Sequence, residues 1–391
     1  MNPSISRSRA TSRRWHAAVI ACATGTLLAS CGSSGDGAGG TNTSAGGSEA
    51  YLTSIEKDLQ RLATPPRSGW PGPKEAPRPT PGRRVSIISA SQASDGVSLA
   101  AGEAVKAVEA LGWTAQVCDG KGDPAGYDQC VRSAVSAKVD GIMSVSVPPA
   151  LIRPALELAR NRRIPFVSES DTSTADPLVS AVAPLPWAAQ GAAVAKWIAK
   201  DSGGKAKVFV IRNDEFAGVK ERSDALVAEL RRCGGCEILA EQQIVYTEAL
   251  SPRIGQIIRA ASDRFGPKLQ YVASPYGATE SFTVPALRTL GRDDVKLADF
   301  ESQAQQTRNC RNGAVDVLGA SLVSWHAWAG VDQLLRVVEG EKPVDPSYVP
   351  HFLATPETCP DTGTVEDLVE LDFRDNYKRI WTGGQGTGGT S

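Results

Sequence analysis

From Arg83 to about residue 355, short β-branched runs alternate with stretches of 10–15 residues that read as helices. Strands alternating with helices on that scale form βαβ units and pair in parallel. Val85-Ser86-Ile87-Ile88-Ser89 opens the series. A helix is expected over 97–111, with Leu99, Val105, Val108 and Leu111 on its buried side and Gly112 stopping it. Strands are expected at 114–118, 141–147, 164–168 and 178–182, with helices at 127–137 and 149–162. The pattern then restarts. Helices at 188–200, 218–232, 252–265, 279–290 and 325–339 alternate with strands at 207–211, 237–245, 269–273 and 295–300. Extended stretches at 315–322 and 349–353 complete it. These are too many parallel units for one open sheet. The fold class is therefore α/β, with two doubly wound parallel-sheet lobes.

The ends of the chain read differently. Arg7, Arg9, Arg13 and Arg14 precede a small-residue apolar stretch of 13 residues, Ala17 to Ala29. That suits a signal peptide over residues 1–30 and is too short to span a bilayer. Leu28-Ala29-Ser30-Cys31-Gly32 resembles a bacterial lipobox, which implies lipidation of Cys31 and anchoring to the cell membrane. A plain secretory peptide with an incidental Cys is the other reading. Residues 31–82 read as a tether. Residues 32–48 are Gly/Ser/Thr-rich, Leu52, Ile55, Leu59 and Leu62 mark a short amphipathic helix, and seven Pro fall between Pro65 and Pro81. This tether is expected to hold the body away from the membrane. Residues 382–391 read as a flexible tail.

Without residues 1–30 the chain has 38 basic and 43 acidic residues, a net charge of −5, so nothing global favours nucleic acid. Six Cys follow Cys31: Cys118, Cys130, Cys233, Cys236, Cys310 and Cys359. An even number outside the cytoplasm favours disulfides. Six allow 15 connectivities; spacing favours Cys118–Cys130 and Cys233–Cys236, with Cys310–Cys359 as the remainder. A redox or zinc site at Cys233-Gly234-Gly235-Cys236 is the rival, but no second ligand pair exists and the motif follows a helix instead of opening one.

No nucleophile elbow, zincin motif or Walker loop is present, and only His326 and His351 lie beyond the leader. No cofactor or metal is expected. Asp95, Glu169, Asp171 and Glu301 form the only carboxylate set open to a surface-hydrolase reading. In parallel α/β sheets, ligands bind at the carboxyl ends of the strands. That selects 89–96, 169–171, 212–222, 274–277, 299–301 and 321–325, windows rich in polar groups that include Tyr276 and Trp325.

Val85-Ser86-Ile87-Ile88-Ser89, Val139-Asp140-Gly141-Ile142, Ile164-Pro165-Phe166-Val167, Pro285-Ala286-Leu287-Arg288 and Asp299-Phe300-Glu301 follow one another in a familiar order. Over residues 83 to about 355 the chain resembles the type I periplasmic solute-binding proteins of ABC importers, the ribose/galactose class that shares its core with LacI-type repressors. The resemblance implies a three-strand hinge with crossovers near Ala183-Pro184, Phe300-Glu301 and 342–347. Lobe one is then 83–183 plus 301–343, and lobe two 184–300 plus 344–381. It implies capture of a small polar solute, a sugar or a sugar-like or modified ring compound, by hinge closure, an ABC permease as partner, a monomer, and no enzymatic activity. A membrane sensor using the same body is the alternative.

Carried over position by position, the resemblance gives Ser89, Ser170, Asp171, Arg222, Tyr276 and Glu301 as ligand contacts. The family's sugar-sandwiching aromatics fall at Asp95 and Gly96, so that sandwich is absent. Trp187, Ser321 and Trp325 are further candidates, the tryptophans as substitute stacking faces. Each has a plainer reading: a helix cap for Asp95, a solvated helix face for Arg222, and core packing for Trp325 or Trp328.

Overall fold

The computed structural model describes residues 43–171 and 176–383. The leader, Cys31 and residues 384–391 lie outside the described residues.

After helix α1 (Thr43–Leu62), the first lobe runs β1 (Arg84–Ser89), α2 (Asp95–Ala110), β2 (Thr114–Asp119), α3 (Pro124–Ser136), β3 (Gly141–Val145), α4 (Arg153–Asn161), β4 (Phe166–Glu169) and β5 (Ala181–Ala183). The second runs α5 (Trp187–Asp201), β6 (Lys207–Arg212), α6 (Ala217–Arg232), β7 (Glu237–Gln243), α7 (Tyr246–Ala249), α8 (Arg253–Phe265), β8 (Tyr271–Ala273), α9 (Glu280–Thr289), β9 (Lys296–Asp299), α10 (Ala304–Arg311) and β10 (Val317–Gly319). α11 (Val323–Val338), β11 (Leu353–Ala354) and α12 (Phe373–Trp381) close the chain.

The first sheet is ordered β2-β1-β3-β4-β5 and is wholly parallel. The second is β11-β10-β9-β8-β6-β7, parallel except for β11. Both faces of each sheet are covered by helices, which is why β1 and β3 are buried at nearly every position and carry Val, Ile and Met with only small Ser residues between them. Two doubly wound lobes are what the alternation demanded.

Strand pairing moves one boundary. Residues 301–343 were expected in lobe one, with a crossover at Phe300–Glu301. Instead Val317 pairs with Ala298 and Leu318 with Asp299, so residues up to 319 extend the second sheet. The crossover falls at Ala320–Leu322, where Gln190 Nε2 donates to the Ala320 carbonyl at 3.1 Å. The helix that makes this possible, α10, carries Gln305, Gln306, Arg308, Asn309 and Arg311, too polar a face to read as a helix in advance. With α11 the chain returns to the first lobe, since α11 packs on α2 and on β3, β4 and β5. Residues 344–381 were expected in lobe two. β11 is there, but α12 is not, because its Trp381 stacks on Trp328 of α11 with ring centroids 5.5 Å apart.

The expected tether is not a free spacer over its described part. α1 docks on lobe two: Tyr51 donates to Glu229 at 2.8 Å, Ser48 to the Cys233 carbonyl at 2.9 Å, and Lys196 pairs with Asp58 at 2.6 Å. The Pro-rich stretch docks on the other side. Trp70 stacks on Trp325 at 5.5 Å and meets Tyr377 edge-on at 5.2 Å. Arg336 donates to the Glu75 carbonyl at 2.7 Å and Trp113 to the Thr80 carbonyl at 2.8 Å. An extended proline-rich chain leaves its carbonyls unpaired, and these donors use them.

The three expected disulfides are the three present: Cys118–Cys130, Cys233–Cys236 and Cys310–Cys359. The last closes the longest loop, 49 residues, and ties α10 to the stretch after β11. Loop-closure entropy grows with loop length, so replacing both Cys310 and Cys359 by Ser is expected to cost about 3–4 kcal/mol. Denaturant titration of oxidised wild type against the double variant checks this; equal midpoints refute it.

Candidate functional site

The carboxyl ends of both sheets face each other across a cavity of about 60 Å³. Lobe one supplies a wall of small residues: Ser94, Gly96, Val97 and Ala100 from the start of α2, then Ser146 and Ser170 just beyond β3 and β4. Those two serines have φ of 56° and 55°, a left-handed conformation uncommon for a residue with a Cβ. Lobe two supplies an aromatic wall of Trp187, Phe216, Tyr246 and Tyr276. Phe216 meets Tyr246 edge-on at 5.1 Å, and Asn213 donates to the Tyr276 hydroxyl at 2.8 Å, fixing that ring.

Arg222, on the inward face of α6, is the cation of the site. Its guanidinium lies between two rings, 4.8 Å from the Trp187 centroid and 4.2 Å from that of Phe300. Nη2 donates to the Pro275 carbonyl and Nη1 to Gln190 Oε1 at 3.4 Å. Burial lowers its pKa to about 10, with the Glu301 and Asp299 charges opposing the fall. Nε of Arg222 and Nε1 of Trp187 are buried donors with no hydrogen-bond partner. Trp187 Nε1 packs close to Gly218, where a Cβ would lie 2.2 Å from it.

Glu301 sits where the lobes meet. A Cβ built on Gly96 of lobe one would lie 3.0 Å from Glu301 Oε2, and one built on Gly277 of lobe two 2.9 Å from it. The carboxylate thus occupies a seat that two glycines leave open, one from each lobe. Burial and the Asp299 charge push Glu301 up to about 7, while Arg222 pulls the other way. Asp299 is raised well above the usual range, by burial first and then by Glu280. Burial also raises Glu280, to about 7. The two carboxyls act on each other, and Glu280 helps to hold Asp299 above the usual carboxylate range. On the other lobe, burial pushes Glu169 up to about 8 and Asp171 up to about 7.

These shifts share one sign. A carboxyl raised in the folded state binds its proton more tightly there than in the unfolded chain. Its contribution is present below the unfolded value and is lost as pH rises through the folded value. Stability is therefore expected to fall between about pH 4.5 and 8 as Glu169, Asp171, Glu280 and Glu301 ionise. A melting temperature lower at pH 5 than at pH 8 contradicts this.

Of the sequence candidates, Ser170, Trp187, Arg222, Tyr276, Glu301 and Ser321 line the cavity. Ser321 spends its hydroxyl on the Phe300 carbonyl and so braces the crossover. Asp95 lies at the cleft mouth with Gly277, Gln306 and Glu301. Asp171 is buried behind the wall, its carboxylate taking the Ala217 N–H and its carbonyl the Gly218 N–H at 2.6 Å. Like Asp95 and Asp171, two more candidates are outside the cavity lining. Ser89 is buried and accepts from Gln92 Nε2 at 2.6 Å. Trp325 is core, stacked between Trp70 and Phe373 at 5.5 and 5.3 Å. Ser146 and Tyr246 fall outside the windows selected from sequence, and Ser94 falls inside one without having been singled out. Tyr246 directly follows the β7 region, and an aromatic residue at the carboxyl end of a strand was the signal available.

A periplasmic binding protein domain matches residues 85–342. The chain belongs to the periplasmic binding protein family. Its fold is the type I fold of that family. Among solved structures, it is similar to an ABC sugar transporter subunit from Rhodobacter sphaeroides 2.4.1, with a TM-score of 0.63 and 19% identity, covering 70% of this chain and 98% of that one. An ABC transporter solute-binding protein from Agrobacterium vitis with bound allitol gives 0.64 and 18%, covering 71% and 97%. One from Burkholderia graminis C4D1M in complex with D-arabinose gives 0.64 and 16%, covering 72% and 97%. At these identities the likeness is one of fold. No curated protein matches the chain in sequence. Proteins of this family act outside the cytoplasm, and among the described residues no helix is long and apolar enough to cross a membrane.

Proposed function

We propose that this protein is the solute-binding component of an ABC importer and captures a sugar or polyol by closing its two lobes. The observation that carries the reading is the cavity itself. Its walls come from both lobes and bring Arg222 and Glu301 together with the aromatic residues Trp187, Phe216, Tyr246 and Tyr276. At about 60 Å³ it holds only a few waters, so a solute enters only when the lobes part. Hydroxyl-bearing ligands supply both acceptors for Arg222 and donors for Glu301. Ligands in the titles of the similar structures, allitol and D-arabinose, are of that class.

The stacking geometry differs from an aromatic sandwich. Gly96 leaves no ring on the lobe-one side, so a sugar ring rests on the lobe-two aromatics alone. Ser170, Trp187, Arg222, Tyr276 and Glu301 are the proposed contacts, with Ser94, Ser146 and Tyr246 added. Asp171 holds the start of α6, accepting from Gly218 N–H through its carbonyl. Lipidation at Cys31 belongs to the same reading, and detergent partitioning that survives Cys31→Ala removes it.

The test is a thermal-shift panel of sugars, polyols, amino acids and aromatic acids. A ligand at 100 times its Kd stabilises the folded state by about 2.7 kcal/mol. The proposal expects a sugar or polyol to raise the melting temperature, and the shift to vanish in Glu301→Gln. Shifts confined to amino acids or aromatic acids overturn the solute class.

A further inference from the structure

The face of lobe one opposite the cleft, where the parallel strands begin, carries two adjoining grooves of about 480 and 270 Å³. Arg163, Ile164, Pro165 and Val337 line both. The larger has an apolar floor that includes Val135, Val139 and Val338. Lys138, Arg160, Arg162 and Arg163 stand exposed around the two, and none of the four makes an ion pair among the described residues. The only acid lining either groove is Asp140, which is held by Arg83 at 2.9 Å. This is a concentration of unpaired positive charge on a chain whose formal net charge is −1.

We infer that this face docks on the anionic phospholipid surface of a membrane. A basic rim over an apolar floor complements the two chemistries of such a surface, phosphate groups outside and glycerol and acyl carbons within. Guanidinium groups suit phosphate because their fork of donors matches its oxygens. The grooves lie at the opposite end of the strands from the cavity, so docking leaves the cleft mouth uncovered. The contact is independent of the solute reading and of any acyl chain at Cys31.

The experiment is co-sedimentation of the full chain carrying Cys31→Ala with vesicles of phosphatidylcholine alone or with added phosphatidylglycerol. The partner protein carries, in addition, Arg160→Gln, Arg162→Gln and Arg163→Gln. Each basic residue near an anionic surface is worth roughly fivefold in partition, so the triple change is expected to weaken binding to the anionic vesicles by about a hundredfold. It leaves the weak association with neutral vesicles unchanged. Equal melting temperatures establish that the variant is folded. If it is not, a salt titration of the native arginines decides, since docking of this kind is lost as salt shortens the Debye length from about 10 Å at 0.1 M to about 3 Å at 1 M. Equal partition to neutral and anionic vesicles, or binding insensitive to both salt and the triple change, overturns the proposal.

Discussion

Replacing Arg222 by Met is expected to destabilise the second lobe by about 3–5 kcal/mol at pH 8 and to abolish solute capture. The side chain is almost wholly buried, and Met keeps much of its volume against Trp187 and Phe300. What is lost is the cation facing Asp299 and Glu301, together with the donors to Gln190 and the Pro275 carbonyl. Removing one partner of a buried charge set costs more than the set contributes, because the remaining carboxylates stay desolvated. The sign of the pH dependence follows. Without Arg222 the folded-state values of Asp299 and Glu301 rise further, so protonation relieves the deficit as pH falls. The gap between variant and wild type is therefore wider at pH 8 than at pH 5 in urea titrations. Lys at this position does not restore binding, since it lacks the planar fork that bridges Gln190, Pro275 and the two rings. A variant as stable as wild type at pH 8 contradicts the charge assignment.

Trp328→Ala is expected to cost about 3–5 kcal/mol, the range for a large aromatic removed from a core. Trp328 lies 5.5 Å from Trp381 with planes 1° apart, meets Phe373 edge-on at 6.3 Å, and donates to Glu103 at 2.9 Å. It is the residue on which α12 is seated. Its loss leaves a cavity beneath α12 and takes one donor from a buried carboxylate that Lys106 and Arg374 also hold. The melting transition of the lobe that carries α11 should drop by about 10 °C. A drop of only one or two degrees indicates that α12 is not structural.

Both residues show how far the chain could be read before its structure was known. The strand–helix alternation named the fold because each sheet is buried on both faces, and the burial is written in the strands themselves. Cys118–Cys130 and Cys233–Cys236 were legible because their partners are close in sequence. The position of the second crossover was not, since β10 is three residues long and α10 presents a mainly polar sequence. Trp325 looked like a ligand platform because it stands at a strand-end window. The ring that covers it, Trp70, belongs to a Pro-rich stretch with no local pattern announcing where it docks. Arg222 and Glu301, singled out by the family resemblance, do line the cavity. The seat for Glu301, formed by Gly96 and Gly277 from opposite lobes, is a tertiary property that no spacing encodes.

In the proposed function the two lobes close on a polyhydroxylated solute held between Arg222, Glu301 and the lobe-two aromatics. Small-angle scattering of the protein, with and without the sugar or polyol giving the largest thermal shift, tests it most directly. The radius of gyration is expected to fall on saturation, with no such change in Glu301→Gln at the same concentration. An unchanged radius at full occupancy would contradict it.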